Sequence, residues 1–409
     1  MTPGAGHTVL RASLVLLAGG AAAQALPLLL GPWLTRLYTP AEFGIFHLLA
    51  AVAANVAVVA CARYEFALPM ARGEAEARAL GALCRWLLLG ATLLAALGGL
   101  TWAALAGFAW PLGLPLGLPM LVAGAGLVSL ATLTATRAQR YKALAAGRVV
   151  QHGGAALLQG VAGSLGAGLS GLVVGAAASA FAAAALLWTR LPRWWQLPRA
   201  ELAAVARQHR DFPLLNTPHA FAGALQDTLA MALIAAWEGP AAAGFWGLAL
   251  RYLKAPATLV GGAVSQALYP ALASGGATLA SRAAVRRVMA VLAALALPLV
   301  ALVLAFGPWA FEAAFGAPWR GAGELARALS VYVGVHFVAS PLSVVTMAWG
   351  AQAWALRLAL VGQVMFVGAL AAGLALGGLA GAGWAVSAAM LLYFGWFFWQ
   401  LARWPLAPA

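Results

Sequence analysis

Residues Gly244–Pro270 read GFWGLALRYLKAPATLVGGAVSQALYP. About 20 apolar residues suffice to cross a bilayer as a helix, and this run is longer. It nevertheless carries Arg251 and Lys254 well inside its length. Arg251, Lys254, Thr258, Gly261 or Gly262, and Ser265 follow at three- and four-residue steps, so a helix puts them on one polar or small face. A basic side chain at mid-membrane costs roughly 2.5–3.5 kcal/mol on insertion scales, and such residues usually face a bundle interior or a wet cavity. Two readings are open. Either both cations snorkel or pair with an internal carboxylate, or they line a cavity that receives an anionic substrate.

The remainder of the chain is of the same kind. Of its 409 residues 64% are hydrophobic and only 8% charged, with a mean hydropathy of +0.90. A soluble domain has no means of covering its surface with that composition, and long apolar runs recur from end to end, which implies an all-α polytopic membrane protein. A β-barrel would instead alternate polar and apolar residues over about ten positions per strand. The net charge of +14 does not point to nucleic acid, because the basic residues lie between hydrophobic runs and form no aromatic-interleaved patch. Cys61 and Cys84, in or beside such runs, make neither a disulfide framework nor a metal site by spacing and read as small core residues.

About twelve spans are expected. Residues 1–33 resemble a secretory leader in that Arg11 precedes an apolar run and AAAQA at 21–25 looks cleavable, but apolar character continues to Trp33 and gives a first transmembrane helix. Pro27 and Pro32 predict a kink or an uneven end there. The others are 41–62, 83–106, 114–136, 145–165, 168–189, 213–236, 241–270, 288–307, 325–349, 353–375 and 379–402.

Sidedness follows from arginine placement. The loops after the second, fourth, sixth and eighth spans carry Arg63, Arg72, Arg78 and Arg85, then Arg137, Arg140, Lys142 and Arg148, then Arg190, Arg193, Arg199, Arg207 and Arg210, and finally Arg282, Arg286 and Arg287. The opposite loops offer only Arg36 and Arg320, so the positive-inside rule puts both termini in the cytoplasm. The long basic stretch 190–212 is either a linker between halves or includes a short helix on the inner surface with Trp194 and Trp195 among headgroups.

YTPAEFGIFHLL at 38–49 is similar to EGPAAAGFWGLA at 238–249, with Pro40, Ala41, Gly44 and Leu48 matching Pro240, Ala241, Gly244 and Leu248. Leu68–Pro69 and Leu268–Pro270 are expected to end the two matched helices. The match divides the spans six and six: an N-terminal bundle 1–190, a basic cytoplasmic linker 191–212 and a C-terminal bundle 213–409. Parallel repeats of this kind relate by an axis along the membrane normal and place substrate between the halves near mid-membrane. Asp227, in the seventh span, is either a proton or sodium coupling group or an ion-pair partner for Arg251 or Lys254. Arg148, His152 and Gln159 share one face of the fifth span, open to a cavity role or to helix–helix hydrogen bonding. His47 and Asn55 read as packing groups.

LTRLYTPAEFGIFHLL, RYEFALP, AQRYKALAAGRVVQ, RDFPLLNTPHAF, the 244–270 stretch and FGAPWRGAGELARALSVYVGVHFVASPLS occur in that order between 34 and 343. With these motifs the chain resembles bacterial polysaccharide-biosynthesis membrane proteins, the lipid-linked oligosaccharide (O-antigen type) translocases, in the superfamily that also holds multidrug extruders and lipid II flippases. The resemblance implies two six-helix bundles around a central, often cationic cavity, and movement of an undecaprenyl-pyrophosphate-linked glycan between leaflets by alternating access. Within it Arg251 and Lys254 match a basic position of the eighth helix, and Arg63 and Glu65 match an RYE motif with an expected role in gating at the cytoplasmic end. The first helix lacks the acidic residue on which a multidrug extruder depends.

A flippase of the bacterial inner membrane is therefore the leading expectation. Its partners would be the lipid-linked oligosaccharide, membrane lipids and other polysaccharide-assembly membrane proteins, with no cofactor, metal or nucleic acid. The nucleotide-binding signature GxxxxGK[ST] is absent, so energy would come from an ion gradient or from consumption of product. An enzyme of the same pathway, a polymerase, ligase or glycosyltransferase, would commonly carry its chemistry on large extracytoplasmic loops. Here those loops are short, and 307–320 holds only Glu312 and Arg320. A multidrug or other lipid exporter on the same fold is separable by substrate alone.

Overall fold

The structure, a computed structural model, describes residues 3–105, 113–188 and 197–405. Helices account for nearly all of them, and no strand occurs among the described residues. That is the expected answer for a chain in lipid, where every backbone N–H and C=O must find a partner within its own segment. The helices are α1 (Pro3–Leu37), α2 (Pro40–Val59), α3 (Glu74–Leu105), α4 (Gly113–Arg137), α5 (Tyr141–Ser164), α6 (Gly168–Leu187), α7 (Arg199–Gln208), α8 (Thr217–Glu238), α9 (Pro240–Gly275), α10 (Leu279–Phe315), α11 (Arg320–Ala348) and α12 (Gln352–Ala402). Each span expected from the sequence falls on one of them. Among the described residues eight are long and apolar enough to cross a membrane by composition; α1, the short α7, and α5 and α9, which carry the intramembrane polar residues, are not among the eight.

The 51 residues of α12 would extend about 76 Å as one straight helix, far beyond a hydrocarbon core of about 30 Å. They fold back at Gly377 and at Gly378, whose φ of 59° and ψ of −152° suit glycine alone. The two arms approach so closely that a Cβ on Gly373 would lie 2.5 Å from Ala382 Cα and 2.6 Å from the Gly381 carbonyl oxygen. Near the open end the Tyr393 hydroxyl donates to the Leu358 carbonyl at 3.0 Å. This hairpin supplies the last two of the twelve spans.

The matched stretches at 38–49 and 238–249 begin α2 and α9 on equivalent prolines, at the first helical position where the missing N–H costs nothing. Thr39 caps α2 reciprocally with Glu42: the Thr39 amide donates to Glu42 Oε2 at 2.8 Å, and the Glu42 amide donates to Thr39 Oγ1 at 3.3 Å. The expected common end at Pro69 and Pro270 is not what the structure shows. α9 continues through Pro270 to Gly275, whereas α2 stops at Val59. After it Ala62 (φ 47°) and Arg63 (φ 62°) enter the left-handed region, and a 3₁₀ turn follows over Tyr64–Met70.

Several of the arginines that set the expected sidedness also cap helix ends. Arg140 Nη1 donates to the last carbonyl of α6, Leu187, at 2.6 Å, and Arg286 Nε donates to that of α12, Ala402, at 2.8 Å. Arg137 Nη1 donates to the carbonyls of Ala71 (2.6 Å) and Leu68 (3.3 Å). A cation at a helix C-terminus satisfies orphan carbonyls and opposes the macrodipole.

The chain divides into two compact units, Met1–Thr228 and Leu229–Ala409, with the division inside α8. In the first, α7 forms within the basic stretch and docks on the 3₁₀ turn and α3. Val205 is buried with Tyr64, Ala67, Leu68 and Leu80, and the Tyr64 hydroxyl donates to the Ala206 carbonyl at 3.2 Å. Trp194 and Trp195, expected among headgroups, and Arg190 and Arg193 lie outside the described residues. In the second unit Leu292, Phe337, Leu342 and Phe397 join α10, α11 and α12.

Gly373→Ala is expected to lower the thermal stability of the purified protein by about 1–3 kcal/mol, because backbone has to move. Gly368→Ala, with open space around the new methyl, is expected to hold or raise it. Equal melting of the two variants would refute the close hairpin contact.

Candidate functional site

α9 places its polar stripe against α11. Lys254 Nζ lies 5.4 Å above the Tyr332 ring, and its charge acts on His336 one turn further along α11. Below it, a Cβ on Gly261 would meet Ser340 Oγ at 3.4 Å and Pro341, and the Ser265 hydroxyl donates to the Pro341 carbonyl at 3.2 Å. The lower stripe is thus a helix–helix seam, with Ser265 spent as glue. Thr258 is exposed, its hydroxyl donating to the Ala255 carbonyl one turn back at 2.8 Å.

Arg251 and Lys254 are half-buried. Neither has a carboxylate within ion-pair distance among the described residues of its own unit, and that unit's acidic residues lie at helix ends. Glu312 and Glu324 both pair with Arg320, and Glu238 sits at the α8 terminus beside Gly378. α9, α10 and α11 also line a half-open apolar cavity of about 130 Å³, with Tyr252, Leu253, Pro256, Val300, Val303, Ser330 and Phe337 in its wall. Arg251 and Lys254 are not part of its wall.

In the first unit, Arg148 and His152 are exposed on α5. Arg148 runs along α1, its Nη1 3.6 Å from where a Cβ of Gly20 would stand. Gln159, on the same helix, is buried and structural: its Nε2 donates to the Leu172 carbonyl at 2.8 Å, and its own carbonyl accepts from Tyr38 at 2.6 Å. Asp227 is exposed on α8, in the first unit, whereas both α9 cations belong to the second. Asn55 is buried in α2.

Arg63 and Glu65 flank the broken end of α2. The Arg63 guanidinium lies 4.0 Å over the Phe66 ring. Glu65 is 2% exposed, and its Oε2 has no hydrogen-bond partner. Burial pushes this carboxyl above the usual carboxylate range, against the opposing pull of its own backbone amide and of Arg63.

A family model described as polysaccharide biosynthesis protein matches residues 33–324. The chain belongs to that family. No individual curated protein matches it. Among solved structures, a multidrug resistance MATE family transporter of the MOP superfamily in an inward-facing conformation superposes with a TM-score of 0.64 at 16% identity, over 95% of this chain and 98% of that one. The lipid II flippase MurJ, inward closed, gives 0.66 at 10% identity over 96% and 90%. A point mutant of the Vibrio cholerae MATE transporter VcmN gives 0.56 at 16% over 96% and 95%. At these identities the likeness is one of fold: this member of the polysaccharide biosynthesis family is an all-helical, multi-pass membrane protein built as these transporters are.

Tyr332 and His336, which face Lys254 across the seam, escape sequence reasoning because nothing in an apolar helix announces which aromatic meets a lysine on another. The Thr39–Glu42 cap was open to it, since threonine followed three residues later by glutamate before an apolar run is a helix-start signature.

The two ends of the seam should respond oppositely. Ser265→Ala is expected to cost about 1 kcal/mol of thermal stability through the lost interhelical hydrogen bond. Lys254→Met removes a charge costing roughly 2.5–3.5 kcal/mol at mid-membrane and gives up a cation–π contact worth roughly 0.5–2 kcal/mol, so the variant should melt no lower than the parent. Destabilisation by Lys254→Met equal to that by Ser265→Ala would make the lysine a structural residue.

Proposed function

We propose that this protein translocates an undecaprenyl-pyrophosphate-linked oligosaccharide from the cytoplasmic to the outer leaflet of the bacterial inner membrane, by alternating access, for surface polysaccharide assembly of the O-antigen type. The observation that carries the reading is the pair Arg251 and Lys254: two cations three residues apart in the membrane, without a carboxylate partner among the described residues of their own unit. In a polysaccharide biosynthesis protein, the anion that such a pair awaits is the pyrophosphate of the carrier lipid. The cost of keeping both charges falls when a doubly charged headgroup occupies the site, while the polyprenyl tail stays in lipid.

Thr258 is a further candidate contact on α9, and Arg148 and His152, exposed on α5, are candidate contacts in the first unit. Asp227 is the candidate for coupling to an ion gradient, and Arg63 and Glu65 for gating at the cytoplasmic end, with both termini on that side. Other membrane proteins of polysaccharide assembly would consume the flipped product. Against an enzyme of the same pathway stands the brevity of the links at the opposite end. Among the described residues α8 joins α9 through Gly239, and α1 joins α2 through Tyr38 and Thr39, and neither link has room for a catalytic centre.

The test is the sidedness of lipid-linked oligosaccharide in cells. Loss of the protein should trap glycan-lipid on the cytoplasmic leaflet, and Arg251→Ala with Lys254→Ala should do the same while the protein still inserts. Normal flipping by the double variant would remove the cation pair from the mechanism. Glycan that reaches the outer leaflet unpolymerised without the protein would favour the pathway enzyme.

A further inference from the structure

The end of α2 gathers two thiols around Glu65, the residue already named as a gating candidate. Cys61, Glu65 and Cys84 are all buried, and one sulfur from each cysteine and a carboxylate oxygen lie within 4.8 Å of one another. We propose that these three residues form a site for a thiophilic divalent cation of the zinc class, which clamps the broken end of α2 to α3. The inference does not depend on the transport reading.

The donor set is the first reason. Two thiols and a carboxylate are ligands that zinc takes, and three protein ligands leave a fourth position for water. With Zn–S near 2.3 Å, tetrahedral geometry separates ligand atoms by about 3.8 Å. The three groups therefore need to draw together by about 1 Å, within the reach of side-chain rotation.

Glu65 is the second. Its Oε2 is buried without a partner although Arg63 is close by, and Arg85 lies near the neighbouring Cys84. Neither is committed to it: Arg63 lies over the Phe66 ring at 4.0 Å, and Arg85 lies 5.6 Å from the Trp188 ring. A buried carboxylate oxygen left unpaired is strongly unfavourable, so an occupant is expected. A disulfide between Cys61 and Cys84 would not satisfy it, whereas a cation would.

The charges close as well. Each thiol releases its proton to solvent on binding. Two thiolates and a carboxylate then bring three negative charges to a divalent ion, and the one left over sits near Arg63 and Arg85. The local backbone favours the same arrangement. Ala62 and Arg63 in the left-handed region turn the chain back, so that Cys61 and Glu65 face Cys84 on α3.

The probe is cadmium added to the full-length protein in lipid nanodiscs under reductant. A near-ultraviolet cadmium–thiolate charge-transfer band saturating at one equivalent is expected, with zinc competing it away. Cys61→Ser with Cys84→Ser should abolish the band. Glu65→Gln should weaken cadmium binding at least about tenfold, and Glu76→Gln, whose parent carboxylate accepts from Gln208 outside the group, should leave it unchanged. Absence of the band in the wild-type protein overturns the proposal whether or not the variants fold. So does a band that survives in the double variant, or a Cys61–Cys84 disulfide in protein isolated from membranes without reductant.

Discussion

Hydrocarbon offers a peptide group nothing to bond with, and an unsatisfied N–H or C=O there costs several kcal/mol. This constraint fixes the helices and also decides how they end. The last carbonyls of α6 and α12 are met by Arg140 and Arg286, and those of the 3₁₀ turn by Arg137. The reversal of α12 falls on two glycines between its arms. The arginines that mark one side of the membrane by sequence rule therefore have a second task, since helices that end on that side present carbonyls to them.

The same poverty of partners gives α9 its meaning. Its polar stripe is one face by periodicity, yet along its length that face does two things. Gly261 and Ser265 let α11 approach and tie it down at Pro341, as small and hydroxyl residues do between membrane helices. Above them Lys254 gains an aromatic face at Tyr332, and among the described residues of their own unit neither it nor Arg251 has a carboxylate partner. Packing accounts for the lower half. For the upper half it supplies only part of the cost of two desolvated cations, and the remainder is what an anionic substrate would offset.

The corner after α2 is the counterpart in the first unit. α2 and α9 start alike on matched prolines, but left-handed backbone at Ala62 and Arg63 breaks α2 where α9 runs on. The break lets the Tyr64–Met70 turn receive α7 and buries Glu65 beside two thiols. A repeat thus keeps its helix start, set by a proline in the first turn, while the far end diverges through contacts that a single half does not dictate.

Length and hydropathy by themselves determined that the chain is a bundle of membrane helices, where most of them begin within a few residues, and that α12 is two spans; α3 and α10 start nine residues before the spans expected at 83 and 288. Each of these depends on properties of consecutive residues: apolar runs, prolines at helix starts, glycines at a reversal. Family membership was also legible, in the order of motifs from 34 to 343. What the stripe, Gln159 and the cysteines do was decided only by tertiary structure. Gln159 shares a helix face with Arg148 and His152, yet it is buried between Tyr38 and Leu172 while they are exposed. Cys61 and Cys84 are 23 residues apart and meet only because α2 breaks and α3 returns beside it. Periodicity assigns a side chain to a face of its own helix; which neighbour covers that face depends on how the helices pack, and that information is distributed over the whole chain.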